Sequence, residues 1–433
     1  MNIIELIKNA GVVGAGGAGF PTHIKLSAKV DTVIVNGAEC EPLLRCDQQM
    51  MDVYAAKVIR GLELAMEATG AKRGIIALKE KYHKATESLN RLIAKLPNRS
   101  ISLFLLSNFY PAGDEFVLVY EVTGKIIPEG GLPLQVGFVV DNVVTLMNVA
   151  DAVDGRSVTH RPLTVCGAVK NPITAFFPVG TSVSDVIKYA GGSVLTDYII
   201  LDGGPMMGKI VSKDDVITKR TSGILVLPHD SEVVYQKSNR HAVKQVKSAC
   251  EQCQDCSEIC PRFLLGHQLE CHKIQRSTAA GIAENITMAF MCCECGLCDW
   301  ICPVKLLPRR VNQETKQKLF QQEIKNPHKK TPENVHPMRQ YRKVPMERIL
   351  GRLDLVDYDV PAPLTDKIPE ISKVKIPLSQ HIGAPAVPAV KVGDMVKKGW
   401  LIGDIPLGNL GARVHASIDG KVTEITDYIK IER

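Results

Sequence analysis

The sequence predicts a multidomain protein that combines an α/β domain with smaller α+β and all-β parts. Three observations support this fold class. Helical and extended segments alternate over roughly the first third of the chain, two cysteine runs share one spacing, and two short β-rich halves follow Ile376. At roughly 100–200 residues per domain, the 433 residues leave room for three or four modules.

The composition excludes nucleic-acid binding as the expected function. Hydrophobic residues make up 45% and charged residues 23% of the chain, a balance typical of globular proteins with packed cores. The formal net charge of +7 is small and spread along the chain, apart from a basic stretch at Lys329–Arg342. Aromatic residues reach only 5%, which is few for stacking on bases. We therefore expect no nucleic-acid partner.

Membrane spanning and secretion are also unexpected. A membrane helix needs ~20 consecutive apolar residues, and the longest candidate, Val136–Ala150, is interrupted by Asp141 and Asn142. The first eleven residues carry Glu5 and lack the basic start and the cleavage site of a signal peptide. We therefore expect a cytoplasmic protein that does not span a membrane.

Eight of the thirteen cysteines form two runs of identical spacing. Each run reads C-x2-C-x2-C-x3-C-P, and the runs end at Pro261 and Pro303. This spacing is typical of bacterial ferredoxins with two [4Fe–4S] clusters, where the fourth cysteine of each run ligates the other cluster. We expect one cluster on Cys250, Cys253, Cys256 and Cys302, and the other on Cys292, Cys295, Cys298 and Cys260.

Two zinc sites are the alternative interpretation of the cysteine runs. C-x2-C pairs also bind zinc, but zinc leaves the repeated third and fourth cysteines unexplained. Between the runs, Phe263–Met291 has helix formers three and four residues apart, which predicts a helical module. The other cysteines have no partner at ligand spacing and are expected to be buried or free thiols: Cys40, Cys46, Cys166, Cys271 and Cys293.

A glycine-rich segment, Gly14–Gly19, contains the pattern G-x-G-x-x-G near the start of the chain. A dinucleotide-binding motif should follow a strand, but Ile3–Ile7 before it has helical spacing. The glycines still permit close approach of a ligand to the backbone. A helix predicted at His23–Lys29 places Lys25 near the same anion. The alternative is a plain glycine turn.

The next part of the chain alternates strands and helices, which predicts an α/β domain. The strand Asp31–Val35 runs into the polar residues of Asn36–Pro42. Helices and strands then follow in turn: helix Met51–Ala68, strand Arg73–Leu78, helix Lys84–Ala94 and strand Ser102–Leu106.

Four segments occur in the order of a known family: Gly14–Thr22 with Lys25, Asn36–Pro42, Tyr110–Glu115 and Asp141–Thr145. Together they resemble the flavin-binding fold shared by the NADH-oxidising subunit of respiratory complex I and the C subunit of the Rnf electron-transport complex. The resemblance implies FMN as a cofactor and NADH as the electron donor.

The resemblance also implies roles for individual residues. It implies FMN contacts for Gly14, Gly16, Gly17, Lys25, Asn36, Glu39, Asn142 and Thr145. It implies NADH contacts for Phe20, Glu41, Asp114 and Glu115, with Gly19 and Gly113 in the same cofactor site. The chain departs from the complex I pattern at Ala38, which replaces an acid, and at Asp141, which replaces an amide.

The segment after the flavin-like part predicts a small β-grasp domain. Short β runs at Leu163–Val169 and Ala175–Pro178 precede a capping-box start at Ser182 and a helix that reaches Ala190. Further strands are expected up to Leu227. This order resembles the soluble-ligand-binding β-grasp (SLBB-type) domain of the same family.

The C-terminal part resembles a lipoyl-type barrel-sandwich hybrid. Its two β halves are Val390–Gly399 and Val414–Val422, and the hairpin between them, Pro406–Arg413, has no lysine to carry a group. We therefore expect an assembly role. The predicted domains are 1–155 for FMN and NADH, 156–235 for the β-grasp, 236–325 for the clusters, 326–373 for a connector and 374–433 for the barrel.

This domain order resembles the PduS-type cobalamin reductases of propanediol-utilisation microcompartments. The resemblance implies an enzyme that passes electrons from NADH through FMN and two [4Fe–4S] clusters to cobalamin. The implied partners are cobalamin or a corrinoid adenosyltransferase and a shell protein, and the implied location is a bacterial microcompartment. The alternative is an electron relay of the Rnf type that uses another acceptor and does not itself oxidise NADH.

Overall fold

The structure is a computed structural model that describes residues 2–97, 100–239 and 241–433. Within these residues, no helix is long and apolar enough to cross a membrane. The strands fall into a parallel sheet, a mixed sheet and two small antiparallel sheets, besides one two-stranded ladder. A helical segment between the second and third of these carries both cysteine runs.

The first domain is built on a four-stranded parallel sheet of order β3-β2-β1-β5. Its strands are β1 (Thr32–Gly37), β2 (Arg73–Lys79), β3 (Ile101–Leu106) and β5 (Phe138–Asn142), and a short β4 (Phe109–Tyr110) lies outside the sheet. All four strands run in one direction, so their carboxyl ends share one edge. Asn36, Lys79 and Asn142 lie at this edge, which we call the carboxyl edge.

Helices cover both faces of this sheet. One face packs mainly against four helices, with Val33, Ile76 and Leu146 in a continuous apolar core, and the other packs against α6. The helices are α1 (Ile3–Asn9), α2 (Thr22–Lys25), α3 (Cys46–Val53), α4 (Ala55–Thr69), α5 (His83–Ile93), α6 (Glu115–Thr123) and α7 (Val143–Val153).

Two helix predictions differ from the structure. The helix expected at His23–Lys29 ends at Lys25, because Leu26 turns into the core and Ser27 Oγ donates to the carbonyl of His23 at 2.7 Å. The helix expected at Met51–Ala68 is two helices, since Tyr54 leaves helical geometry (φ −110°, ψ 28°) between α3 and α4.

The second domain is a five-stranded mixed sheet of order β7-β6-β10-β8-β9 with one helix. The predicted capping box at Ser182 is confirmed, since its Oγ accepts the N–H of Asp185 at 3.1 Å. The elements are β6 (His160–Gly167), β7 (Ile173–Pro178), α8 (Val183–Tyr189), β8 (Tyr198–Asp202), β9 (Lys209–Val211) and β10 (Gly223–Pro228).

The segment with the cysteine runs, which we call the cysteine module, is helical. The stretch between the runs contains α12, α13 and a 3₁₀ turn at Ile286–Met291, as its sequence predicts. The helices are α9 (Glu232–Ser238), α10 (Ala242–Ala249), α11 (Asp255–Glu258), α12 (Pro261–Leu264), α13 (Cys271–Ala280), α14 (Leu297–Ile301) and α15 (Pro308–Gln321).

The chain then returns to the first domain before it forms the C-terminal sheets. Strand β11 (Val344–Pro345) pairs with β4, and α16 (Met346–Arg352) packs behind it. Two sheets enclose an apolar core: β12 (Lys373–Pro377), β14 (Met395–Val396), β17 (Gly420–Ile425) and β18 (Tyr428–Glu432) form one, and β13 (Val387–Pro388), β15 (Leu401–Asp404) and β16 (Val414–His415) form the other.

Gly61 allows the close packing of α4 against α7, and its replacement tests that contact. A Cβ at Gly61 would overlap the carbonyl oxygen of Leu146. We expect Gly61→Ala to destabilise the protein by about 1–3 kcal/mol, because the two helices must separate. Calorimetric unfolding measures this as a lower transition temperature.

Gly351→Ala is the matched control for Gly61→Ala. Gly351 also lies inside a helix, but a Cβ there would meet nothing within 4 Å. This variant should be neutral or stabilised by about 0.5–1 kcal/mol, because alanine is the better helix former. Equal transition temperatures for the two variants would contradict the close contact between α4 and α7.

Candidate functional site

The loop Gly14–Gly19 presents a row of free backbone donors. Gly16, Gly17 and Ala18 are exposed, and no described residue accepts a hydrogen bond from their N–H groups. A Cβ on Gly17 would meet nothing within 4 Å, so the space above the loop is open. The loop follows the helix α1, which confirms that it is not a strand-to-helix dinucleotide motif. Adjacent unpaired amides of this kind suit an anion such as a phosphate.

Residues at the start of α7 hold this loop in place. The buried Thr145 accepts the N–H of Ala15 at 2.9 Å. Asn142 caps α7 by accepting the N–H of Val144 at 2.9 Å, and its side chain would lie 3.0 Å from a Cβ on Gly16. The structure therefore brings Asn142 and Thr145 to the glycine loop, as the family resemblance implies.

Lys25 lies beside the loop in a cluster of opposite charges. Its Nζ lies 3.3 Å from Glu115 and 3.4 Å from Asp141, and it also donates to the carbonyl of Val140. Burial lowers the pKa of Lys25, but attraction to Asp141 and Glu115 outweighs burial, so the net shift is upward. Lys25 therefore stays charged. The acid at position 141, a departure from the complex I pattern, serves as a partner of this lysine.

The segment that follows β1 is held by hydrogen bonds to other loops. Asn36 Nδ2 donates to the carbonyl of Gly113 at 2.8 Å, which brings these two predicted residues together. Glu39 accepts the N–H groups of Asp47 and Gln48, at 2.9 and 3.2 Å, where α3 begins. Burial, with repulsion from Asp47, raises the pKa of Glu39 to about 8. The carboxyl group of Glu39 thus fixes the loop to α3.

Lys79 is a candidate that the sequence patterns did not single out. It ends β2 at the carboxyl edge, is 1% exposed, and makes no hydrogen bond or ion pair with any described residue. Burial lowers its pKa to about 8, and Cys40 and Glu39 are among the groups whose charges act on it. Its only sequence signal is a lysine directly after an apolar strand, where a buried charge indicates a missing partner.

Two predicted NADH contacts have their oxygens occupied by the protein itself. Glu41 accepts the N–H groups of Met206 and Met207 at 2.9 and 2.7 Å, and burial raises its pKa. Asp114 caps α6 and forms a two-pronged ion pair with the buried Arg262, in which Nη2 lies 2.9 Å from Oδ2. The structure therefore gives these two acids the role of holding loops rather than of facing a nucleotide.

The other two predicted NADH contacts remain accessible. The side chain of Phe20 is 36% exposed next to the glycine loop. The carboxylate of Glu115 is 43% exposed while it pairs with Lys25. Gly19 takes a left-handed backbone (φ 77°), and its carbonyl accepts the N–H of Ile382 at 3.2 Å. The C-terminal domain therefore braces the loop that carries Phe20.

The eight cysteines of the two runs line two cavities. Cys250, Cys253, Cys256 and Cys302 surround the first cavity. Cys260, Cys292, Cys295 and Cys298 surround the second. Each cavity thus receives three cysteines from one run and the fourth from the other. Cys253 is exposed at the first cavity, whereas three of the four cysteines at the second are buried.

The second cavity also holds two cysteines outside the ligand spacing. Cys271, which begins α13, and Cys293 both line it. Cys271 is buried, as expected for a thiol without a ligand partner, but its position beside the cavity was missed because it is far from both runs in sequence. Among the described residues, no group of three or more His, Cys, Asp or Glu side chains is spaced to hold a single metal ion.

The second cavity lies against the carboxyl edge of the first domain. Tyr110 Oη donates to the carbonyl of Cys295 at 2.7 Å. Cys293 and Cys295 share one apolar cluster with Cys40 and Leu43, which follow β1. The proposed flavin surface and the second cavity are therefore neighbours, as electron transfer between them requires.

Comparisons with known proteins agree with this arrangement of domains. Family models match a Nuo51 FMN-binding domain at residues 7–151, an SLBB domain at 162–209, a 4Fe-4S dicluster domain at 249–307 and an RnfC barrel sandwich hybrid domain at 363–432. The chain is 44% identical to cobalamin reductase PduS of Citrobacter freundii, over 98% of this chain and 95% of that protein. This chain belongs to the PduS cobalamin reductase family.

Other relatives place the PduS family among respiratory electron carriers. The PduS protein of Salmonella typhimurium is 43% identical over the same shares of the two chains. The RnfC-like component of the Na⁺-translocating ferredoxin:NAD⁺ oxidoreductase complex of Acetobacterium woodii is 38% identical over 60% of this chain and 58% of that component. The predicted fold class is confirmed, as are FMN and [4Fe–4S] clusters as cofactors, and a relay without NADH oxidation is not favoured.

Proposed function

We propose that this protein is an NADH-dependent cobalamin reductase, in which electrons pass through FMN and two [4Fe–4S] clusters to a corrinoid acceptor. The contact between the carboxyl edge and the second cavity carries this proposal, because it joins the two cofactor sites within one chain. The two PduS relatives, which match over nearly their whole length, support cobalamin as the acceptor.

We assign the phosphate of FMN to the open glycine loop. Gly14, Gly16, Gly17 and Gly19 shape the loop, and the free amides at its tip fit an anion that the cationic Lys25 also attracts. Asn142 and Thr145 hold the loop, while Asn36, Glu39 and Gly113 form the wall at the end of β1. The buried amine of Lys79 supplies a further donor at that wall.

The flavin supplies the conversion of a two-electron hydride into single electrons. The protein residues bind and orient the reactants around it. Phe20 and Glu115, which are exposed beside the glycine loop, are the proposed NADH contacts. Glu41 and Asp114 position the site, since each ties the loop that carries it to another domain.

We assign the eight run cysteines as cluster ligands in the crossed arrangement of the two cavities. One set is Cys250, Cys253, Cys256 and Cys302, and the other is Cys260, Cys292, Cys295 and Cys298. A four-thiolate set around each cavity fits a [4Fe–4S] cluster. Zinc would use four of the thiolates in a C-x2-C…C-x2-C set and leave the others without a role.

The finer biological setting is proposed from the family. We place the protein in the cytoplasm, within a bacterial microcompartment, where a corrinoid adenosyltransferase and a shell protein are its partners. The barrel at 374–433 suits docking, since the hairpin Pro406–Arg413 carries an exposed Leu407 and no lysine. We propose domain limits at residues 155, 235, 325 and 373.

An anaerobic titration tests the proposed reaction. Reconstituted protein is first reduced with NADH while the flavin absorbance is followed, and hydroxocobalamin is then added. We expect the flavin band to bleach and reduced cobalamin to form faster than with free FMN. Bleaching without cobalamin reduction would reject the corrinoid as acceptor, and unbleached flavin in protein shown to contain FMN would reject NADH as donor.

Gly17→Ala tests the phosphate loop without disturbing the fold. The added methyl group meets no atom of the protein within 4 Å, but it enters the space above the free amides. We expect FMN affinity to fall roughly ten-fold, about 1.4 kcal/mol, while the unfolding transition stays unchanged. Quenching of FMN fluorescence by flavin-depleted protein measures the affinity, and an unchanged affinity would place the phosphate elsewhere.

Paired cysteine replacements test the crossed ligation. Cys253→Ala with Cys302→Ala should remove one cluster, so about half of the iron is lost. Cys298→Ala with Cys302→Ala should remove both clusters, since these residues line different cavities. Iron analysis and electron paramagnetic resonance (EPR) of the reduced proteins distinguish the results. The reverse result would show that each run ligates its own cluster.

A further inference from the structure

Asn312 contacts the second cavity but belongs to neither cysteine run. It lies on α15 and is 0% exposed. Its Nδ2 lies 3.5 Å from the sulfur of Cys292 and 3.9 Å from the sulfur of Cys271. Among the described residues, it is the one side-chain nitrogen that donates a hydrogen bond to a cysteine sulfur of either run.

A second buried amide fixes the orientation of Asn312. Gln275 on α13 is 2% exposed, and its Nε2 donates to the carbonyl of Pro308 at 3.2 Å and to Asn312 Oδ1 at 3.4 Å. The carbonyl of Pro308 can only accept, so Gln275 must present its NH₂ group to this position. Asn312 therefore presents its oxygen to Gln275 and its NH₂ group to the sulfurs.

The two cavities differ in this respect. Cys292 also receives the backbone N–H of Glu294 at 3.4 Å, and Cys302 of the first cavity receives that of Leu306 at 3.3 Å. Both cavities thus have a backbone donor, but among the described residues the side-chain donor is present only at the second. Hydrogen bonds to cluster sulfurs are one of the factors that set cluster reduction potentials.

We propose that Asn312 is a positioning residue that raises the reduction potential of the cluster held by Cys260, Cys292, Cys295 and Cys298. An N–H donor stabilises the reduced, more negative state of a cluster more than the oxidised state. This inference rests on the proposed ligation of that cavity. Because the second cavity adjoins the carboxyl edge, the effect acts on the cluster that faces the flavin domain.

Asn312→Leu tests the proposal, because it keeps the side-chain size and removes the donor. The full chain with both clusters is titrated with dithionite and mediators, and each cluster is followed by EPR. We expect the reduction equilibrium of one cluster to weaken roughly ten-fold, about 59 mV for one electron, while the other is unchanged. An unshifted potential in protein with full iron content would overturn the proposal.

Thr315→Val is the matched control on the same helix. Thr315 is buried and contacts Thr278 Oγ1 at 3.2 Å across the same packing of α13 and α15, but it donates to no cysteine. This variant should leave both potentials unchanged. An equal shift in both variants would show a general packing effect and overturn the specific role of Asn312.

Asn312→Asp decides the case if Asn312→Leu loses iron. A carboxylate has the same shape, has no N–H donor and adds negative charge, so the potential should fall further. A potential equal to that of the unmodified protein would overturn the proposal. The titration uses neither NADH nor cobalamin, so its result does not depend on the donor or the acceptor. A lack of two cluster signals in the unmodified protein would instead overturn the proposed cluster ligation.

Discussion

The buried ion pair between Asp114 and Arg262 determines how the two halves of the redox site meet. Arg262 follows Cys260 by two residues, and Asp114 follows the Gly113 carbonyl that Asn36 holds. Both side chains are almost entirely enclosed, and the guanidinium also lies 3.8 Å from the ring centre of Phe116. Removal of one partner of such a pair typically costs about 3–5 kcal/mol. The ion pair therefore fixes a cluster ligand relative to the carboxyl edge of the sheet.

The β-grasp domain reinforces this arrangement through a single loop. Glu41, after β1, accepts the amides of Met206 and Met207, and the carbonyl of Met206 accepts hydrogen bonds from Lys237 and Arg309. Arg309 in turn pairs with Asp299, the neighbour of Cys298, at 3.2 Å. A Cβ on Gly204 would overlap Glu41, so the loop must be glycine at this point. Three domains thus share one buried network of charges.

Local patterns were sufficient to predict much of the architecture. The cysteine spacing, the capping box at Ser182 and the strand at Arg73–Leu78 each depend on residues within a short window, and such features follow from the sequence. The positions of Asn142 and Thr145 beside the glycine loop came from the family resemblance rather than from any local pattern.

The errors have a common physical origin in long-range contacts. Glu41 was predicted to face a nucleotide, but its partners are 165 and 166 residues away in sequence, in another domain. Lys79 and Cys271 were missed because their significance comes from burial beside a cofactor site. The helix after Pro21 was predicted to be too long, since Leu26 is drawn into the core, and core packing is not encoded in a local pattern.

The exchange of Cys260 and Cys302 between the two cavities has a consequence for how the protein is made. Neither cavity has its four thiolates until both runs have folded against each other, so a nascent chain that ends between the runs can complete neither site. Insertion of iron is therefore coupled to the late association of two distant segments. Oxidative loss of one inorganic core would likewise loosen the polypeptide around the other, so damage and repair should concern the pair as one unit.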